Sequence, residues 1–280
     1  MELLIGTEAL AAHLHDPAWI VFDVRHDLLD LNKGRRQYGE GHIPGAQFVD
    51  LHEDLSGPMD GRNGRHPLPD RTQFATAMAA RGVGPGRNVV VYDEAVGMYA
   101  TRLWWMLRWL GFDAVMLLDG GYAKWSAEGR EVTIEVPQPR PVAPQFTPRD
   151  GLTVDADFIR QHLDDPAFQL VDARAGERFR GEVEPMDPVA GHIPGAVNRL
   201  FKLNHRTDGT FRPPAELRAE FERIAAGRDP AQVLHQCGSG VTACNNLFAM
   251  ELAGLHGSRL YPGSWSEWVS DPSRPVATGA

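Results

Sequence analysis

The stretch H-D-P-A-W-I-V-F-D-V-R at residues 15–25 decides the fold, because the chain writes it again as D-D-P-A-F-Q-L-V-D-A-R at residues 164–174. Reading outward from it, G-H-I-P-G-A at 41–46 recurs letter for letter at 191–196. R-N-V-V-V-Y-D at 87–93 answers A-Q-V-L-H-Q-C at 231–237, and G-G-Y-A-K-W at 120–125 answers G-S-W-S-E-W at 263–268. Four ordered matches at a nearly constant offset mean one fold present twice. A repeat this long, occurring only twice, is a domain duplication; solenoid repeats are shorter and more numerous.

The repeat divides the chain into a first domain over residues 1–130, a linker over 131–150 and a second domain over 151–280. P-Q-P-R-P-V-A-P-Q-F-T-P at 137–148 is rich in proline and carries no apolar period, so an extended, semi-rigid connection is expected. Inside each copy, short apolar runs bounded by turn residues (19–24, 89–92, 115–118, 169–171 and 233–235) read as buried parallel strands. Residues 98–110 and 242–253 are helical in period: Ala243, Leu247, Met250 and Gly254 recur on one face, and Gly111 and Gly254 stand where a helix stop belongs. Strand alternating with helix predicts an α/β fold, two tandem domains each built on a mostly parallel sheet flanked by helices. Ligands of such sheets sit beyond the carboxyl ends of the strands.

Composition narrows the function. A chain of 280 residues with 42% hydrophobic and 23% charged residues has ample material for two cores. A formal charge of −9 argues against nucleic acid, which needs a basic surface, and no basic cluster flanks an apolar stretch as a membrane surface would require. The opening M-E-L-L-I-G-T-E-A-L has no basic region ahead of its apolar run and does not read as a secretion signal. The two cysteines, Cys237 and Cys244, are too few for a disulfide framework, so a reducing cytoplasmic setting is expected. No spacing of His, Cys, Asp and Glu suits a metal, and no glycine-rich nucleotide loop is present.

The chemistry concentrates at H-Q-C-G-S-G-V-T-A, residues 235–243, where a buried strand ends and a helix begins. Successive N–H groups of such a loop can converge on one anionic atom, and the following helix adds its positive end. Thiolates held this way fall from a pKa of about 8.5 to roughly 3.5–7.5. Each N–H bond to the charged sulfur contributes on the order of 1.5–3 kcal/mol. Gly238 and Gly240 let the backbone come close, and Ser239 and Thr242 add hydroxyl donors. Taken alone, Cys237 would equally suit a packed core. The Gly-Ser-Gly context favours function, because a core cysteine has no use for a polar loop. At the matching place the first copy reads Tyr92-Asp93-Glu94-Ala95 and has no thiol, so that copy is expected to be inactive.

C-G-S-G-V-T-A-C resembles the active loop of the 3-mercaptopyruvate sulfurtransferases within the rhodanese family of tandem domains. The likeness extends through both G-H-I-P-G-A segments and G-S-W-S-E-W to nearly the whole chain. It implies that Cys237 accepts sulfur as a persulfide and that Gly238, Ser239, Gly240, Val241 and Thr242 cradle it. It further implies that Arg178, in R-F-R-G, binds the donor's anionic end. In this family the loop serine couples to a histidine and an acid of the first domain; Ser239 and His66 fit two of these parts. No cofactor is implied. The donor is 3-mercaptopyruvate or thiosulfate, and the acceptor a thiol, cyanide or a thioredoxin-like reductant.

The sequence departs from that pattern at two places. A second donor-binding arginine is missing, and Asp187 stands about where it would lie. The acid's position falls on His52, with Asp50, Glu53 and Asp54 nearby. A thiosulfate-specific enzyme is the near alternative, although its loop would carry basic residues where Gly238 and Ser239 stand. A sulfur carrier loaded by another protein is a second. A cysteine phosphatase is a third, and lacks its arginine six residues after the cysteine, where Ala243 stands. His42 and His192 read as turn residues, Trp104, Trp105 and Trp109 as packing, and Cys244 as core.

Overall fold

A computed structural model describes residues 2–280. The chain forms two compact units: residues 1–57, 68–149 and 205–211 make the first, and residues 58–67, 150–204 and 212–280 the second. Along the linker the grouping changes unit between residues 149 and 150. The grouping departs from the repeat at two short segments, 58–67 and 205–211, each of which belongs by its contacts to the unit built from the other copy. A boundary drawn from sequence alone follows chain order and has no means of detecting such an exchange.

In the first unit the strands β1 (Leu4–Ile5), β2 (Trp19–Asp23), β3 (Ala46–Phe48), β4 (Asn88–Tyr92) and β5 (Val115–Leu118) form one sheet in the order β1-β5-β4-β2-β3. Every pair is parallel, with Val21 opposite both Ala46 and Val90, and Val89 opposite Val115. Five helices accompany them: α1 (Thr7–Ala11), α2 (Lys33–Glu40), α3 (Arg71–Ala80), α4 (Ala100–Trp109) and α5 (Gly121–Ala127). Alternation along the strands places Val21, Val90, Tyr92, Met116 and Leu118 in one cluster with Leu10, Ile43 and Trp125. α4 packs on β4 and β5. Its Trp104, Trp105 and Trp109 are buried in the first unit, Trp105 and Trp109 stacked with ring centres 6.0 Å apart.

The second unit repeats the plan with β6 (Gln169–Asp172), β7 (Val197–Asn198), β8 (Val233–Gln236) and β9 (Arg259–Leu260) in the order β7-β6-β8-β9, again all parallel. Its helices are α6 (Ala156–Gln161), α7 (Gly176–Phe179), α8 (Pro214–Ala225), α9 (Ala243–Leu252) and α10 (Ser264–Trp268). Leu170, Leu234, Ile193, Trp265 and Trp268 form its core. The five strands and two long helices read from the sequence are all present within two residues of their expected bounds, and α4 and α9 stop at Gly111 and Gly254.

The duplicated motifs turn out to be one brace built twice. In D-V-R, Arg25 pairs with Asp23 at 2.7 Å and donates from Nη2 to the Gly41 carbonyl at 2.7 Å. In D-A-R, Arg174 pairs with Asp172 at 2.6 Å and donates to the Gly191 carbonyl at 2.7 Å. Each brace ties the end of a central strand to its G-H-I-P-G-A turn. The histidine of each turn stacks on an aromatic neighbour, His42 on Tyr38 and His192 on Phe179. Their Nδ1 atoms meet the carbonyls of Tyr38 (2.8 Å) and Phe179 (2.7 Å), so both histidines are engaged in holding turns. Between Thr133 and the start of the second unit the chain has no helix or strand, as a proline-rich connection requires.

Candidate active site

The loop from Cys237 to Thr242 joins the carboxyl end of β8 to the start of α9, the place where a parallel sheet presents ligands. Cys237 is 2% exposed. Its N–H donates to Ser264 Oγ at 3.1 Å, and its carbonyl accepts the Trp265 N–H at 3.1 Å, so α10 grips the residue from both sides. Gly240 turns the chain with φ +75°, and a β-carbon there would stand 2.2 Å from the Pro262 carbonyl oxygen; only glycine fits. Val241 is buried and Thr242 is the N-cap residue of α9. Cys244, one turn on, is fully buried and donates its thiol to the Gly240 carbonyl at 3.4 Å. Neither cysteine is in a disulfide.

Three side chains from elsewhere in the second unit meet this loop. His66 is 3% exposed, and its Nδ1 lies 2.7 Å from Ser239 Oγ. Segment 58–67 is held in place by the Arg65 N–H donating to Ser266 Oγ (3.1 Å) and by Ser270 Oγ donating to the Arg62 carbonyl (3.2 Å). Arg178, on α7, is gripped by Glu184 through Nε (3.2 Å) and Nη2 (2.6 Å), and its Nη2 also reaches Asp187 at 3.4 Å. The side chains of Glu184 and Asp187 are both buried, and Arg174 Nη1 adds a bond to Glu184 at 3.3 Å.

The third side chain is Arg65, which the sequence reading did not single out. Its Nη1 pairs with Asp187, and its Nη2 would lie 3.0 Å from a β-carbon built on Gly238. Both terminal nitrogens of Arg178 would lie 3.6 Å from the same point. Gly238 therefore leaves the room in which two guanidinium groups approach the residue after Cys237. A basic residue more than a hundred positions from its partners gives no pattern by which sequence could find it; the one signal was its place beside His66 in G-R-H.

The acids that flank His52, the expected position of the relay's acid, bond within the first unit. Asp50 Oδ1 accepts the N–H groups of His52 (2.8 Å) and Glu53 (3.0 Å), while Asp54 pairs with Arg81 and Glu53 with Arg35, each at 2.7 Å. Among the described residues no group of three or more His, Cys, Asp and Glu is placed to hold a metal. Among those residues, too, no helix is long and apolar enough to cross a membrane.

The first unit carries the same loop with a different filling. Asp93 stands where Cys237 stands in the second, at the end of β4 ahead of α4. Its buried carboxylate accepts N–H groups from Gly97 (3.0 Å), Tyr99 (2.8 Å) and Ala100 (3.1 Å). The loop geometry gathers N–H groups on a negative atom, and in this copy the side chain is that atom.

A doubly written parallel α/β unit, with a cysteine loop at one strand end and an aspartate in its twin, defines a tandem rhodanese architecture. The Rhodanese-like domain family matches residues 7–128 and again 155–271, and the chain belongs to that family. Along its length it is 50% identical over 278 residues to a probable 3-mercaptopyruvate sulfurtransferase of Pseudomonas aeruginosa, covering 99% of this chain and 98% of that one. It is 34% identical to the thiosulfate sulfurtransferase of Rattus norvegicus over 99% of this chain and 95% of the relative. Among solved structures, the 3-mercaptopyruvate sulfurtransferase from Leishmania major superposes with a TM-score of 0.85 at 30% identity, over 98% of this chain and 75% of that one.

Proposed function

We propose that the protein is a sulfurtransferase that takes sulfur from 3-mercaptopyruvate as a persulfide on Cys237 and passes it to a thiol or to cyanide. The observation that carries this reading is the Cys237 loop, closed over by the Ser239–His66 pair at 2.7 Å. In the first step the Cys237 thiolate attacks the donor sulfur. The carbon–sulfur bond breaks, its electron pair leaves with the carbon as pyruvate enolate, and the donor's thiol proton is delivered to that carbon. Ser239 and His66 are the groups suited to hand that proton on. Arg178, fixed by Glu184, holds the anionic end and steadies the enolate charge. The persulfide is left negative among the loop's N–H groups, the setting that Asp93 occupies in the twin loop. An acceptor thiolate, of a small molecule or a thioredoxin-like reductant, or cyanide, then attacks the outer sulfur and regenerates Cys237. No cofactor takes part, because sulfur itself is the group carried. Two reduced thiols suit a cytoplasmic enzyme.

Thiosulfate is the second donor to consider, since a thiosulfate sulfurtransferase is among the relatives and two guanidinium groups suit a dianion. Intact mass after brief exposure to each donor separates the readings, with Cys237→Ser alongside. The expected result is a gain of one sulfur from 3-mercaptopyruvate in the wild type and none in the variant. A gain from thiosulfate alone would change the donor and keep the chemistry. Reduced, folded protein that gains nothing from either would falsify the small-donor reading and leave a carrier loaded by another protein.

A further inference from the structure

Two arginines reach the loop beside Cys237, and each has one terminal nitrogen already committed. Arg65 Nη1 is bound by Asp187, and Arg178 Nη2 by Glu184 and Asp187. Arg65 Nη2 and Arg178 Nη1 have no hydrogen-bond partner among the described residues, and both face the space that Gly238 leaves empty. Burial and the neighbouring Arg178 draw the Arg65 guanidinium below its ordinary value, while Cys237 and Glu184 draw it up. Arg65 therefore feels both the thiol and the other cation. Asp187 lies between the two arginines, 3% exposed, and gives each of them one oxygen.

We propose that Arg65 is the second donor-binding cation of this site, its Nη2 and the Nη1 of Arg178 together taking the carboxylate of an α-keto thiol donor, with Asp187 positioning the pair. This rests on the donor class proposed above and says which groups read it. It also accounts for the acidic residue at 187: a carboxylate there would be out of place beside an anion site, unless its task is to hold a cation brought in from residue 65. The chain thus assembles the two-cation grip from segment 58–67 and α7, where the family pattern draws both from one stretch.

The test compares Arg65→Gln, Arg65→Lys and Asp187→Asn in the full chain. One arm alkylates reduced Cys237 with iodoacetate and with neutral iodoacetamide, reading the rate ratio at the Cys237 peptide. In Arg65→Gln the ratio should fall about tenfold, as loss of one charge-assisted contact implies. Arg65→Lys should recover part of it, because a lysine keeps the charge and loses the fork. Asp187→Asn should move the ratio the opposite way, since one negative charge leaves the site. A merely structural Arg65 would slow both reagents alike, and would make Arg65→Gln and Asp187→Asn shift in the same direction; either result overturns the proposal. In turnover with 3-mercaptopyruvate, the KM of Arg65→Gln should rise about tenfold with a smaller change in kcat. The alkylation arm needs no sulfur transfer, so a wild type that gains no sulfur from 3-mercaptopyruvate but whose iodoacetate preference falls in Arg65→Gln would overturn the donor reading while keeping Arg65 as an anion-binding cation.

Discussion

Ser264 adopts φ +53°, a left-handed conformation that costs a residue bearing a β-carbon roughly 1–2 kcal/mol, whereas its counterpart in the first unit is Gly121 at φ +61°. The serine is kept for its hydroxyl, which accepts the Cys237 N–H at 3.1 Å and donates to the Tyr261 carbonyl at 2.9 Å. Replacing it separates the two effects. Ser264→Ala keeps the strain and loses both bonds; Ser264→Gly loses the bonds and relieves the strain. Urea unfolding should therefore find the alanine variant less stable than the glycine variant by about 1 kcal/mol; equal midpoints would mean the serine backbone is not strained. The residue was readable in the sequence only as a mismatch, G-S against G-G, in an otherwise matching pair of motifs. Cys237, Ser239 and Arg178 stood out because their chemistry is local to a motif. Arg65 did not, because its partners Asp187 and Gly238 lie more than a hundred residues further on.

At the scale of elements, the two strand–loop–helix units show what the loop itself prefers. In the first, burial raises the Asp93 carboxyl above its ordinary value even though backbone N–H groups bind it and pull the other way. Asp93→Ala leaves buried N–H groups of Gly97, Tyr99 and Ala100 without their acceptor, which should cost about 3 kcal/mol in urea unfolding. Asp93→Asn, which keeps one acceptor oxygen, should cost less, and an alanine variant as stable as wild type would show that the carboxylate organises nothing. The central strands were legible because strands buried on both faces are continuous apolar runs, such as N-V-V-V-Y in β4. The edge strands β1, β7 and β9 were not, since each has two residues and no period can be read from two.

For the molecule as a whole, stability in acid is set in part by His235, on β8 beneath α9, fully buried with Nε2 3.0 Å from Met250 Sδ. Burial first, and Arg199 second, lower its pKa to about 3. The unfolded chain takes up this proton as pH falls past about 6.5, and the folded chain refuses it until about 3. Its contribution is thus whole above pH 6.5 and declines from there down to pH 3, at up to about 1.4 kcal/mol per pH unit. Between pH 7.5 and 5.0 the wild type should lose about 2 kcal/mol more than His235→Leu in urea unfolding, and equal losses would remove the histidine from the account. The division into two α/β units was legible because the repeat is written in the chain. The crossing of segments 58–67 and 205–211 was not, because repeats record ancestry and contacts are made in space. That crossing has a consequence for inheritance. The residues that segment 58–67 brings to the Cys237 loop are encoded in the half of the gene that carries no cysteine, so a recombination at the linker would swap them and leave Cys237 untouched. On the function proposed above, donor preference is then written in both halves of the gene, the copy without a thiol included.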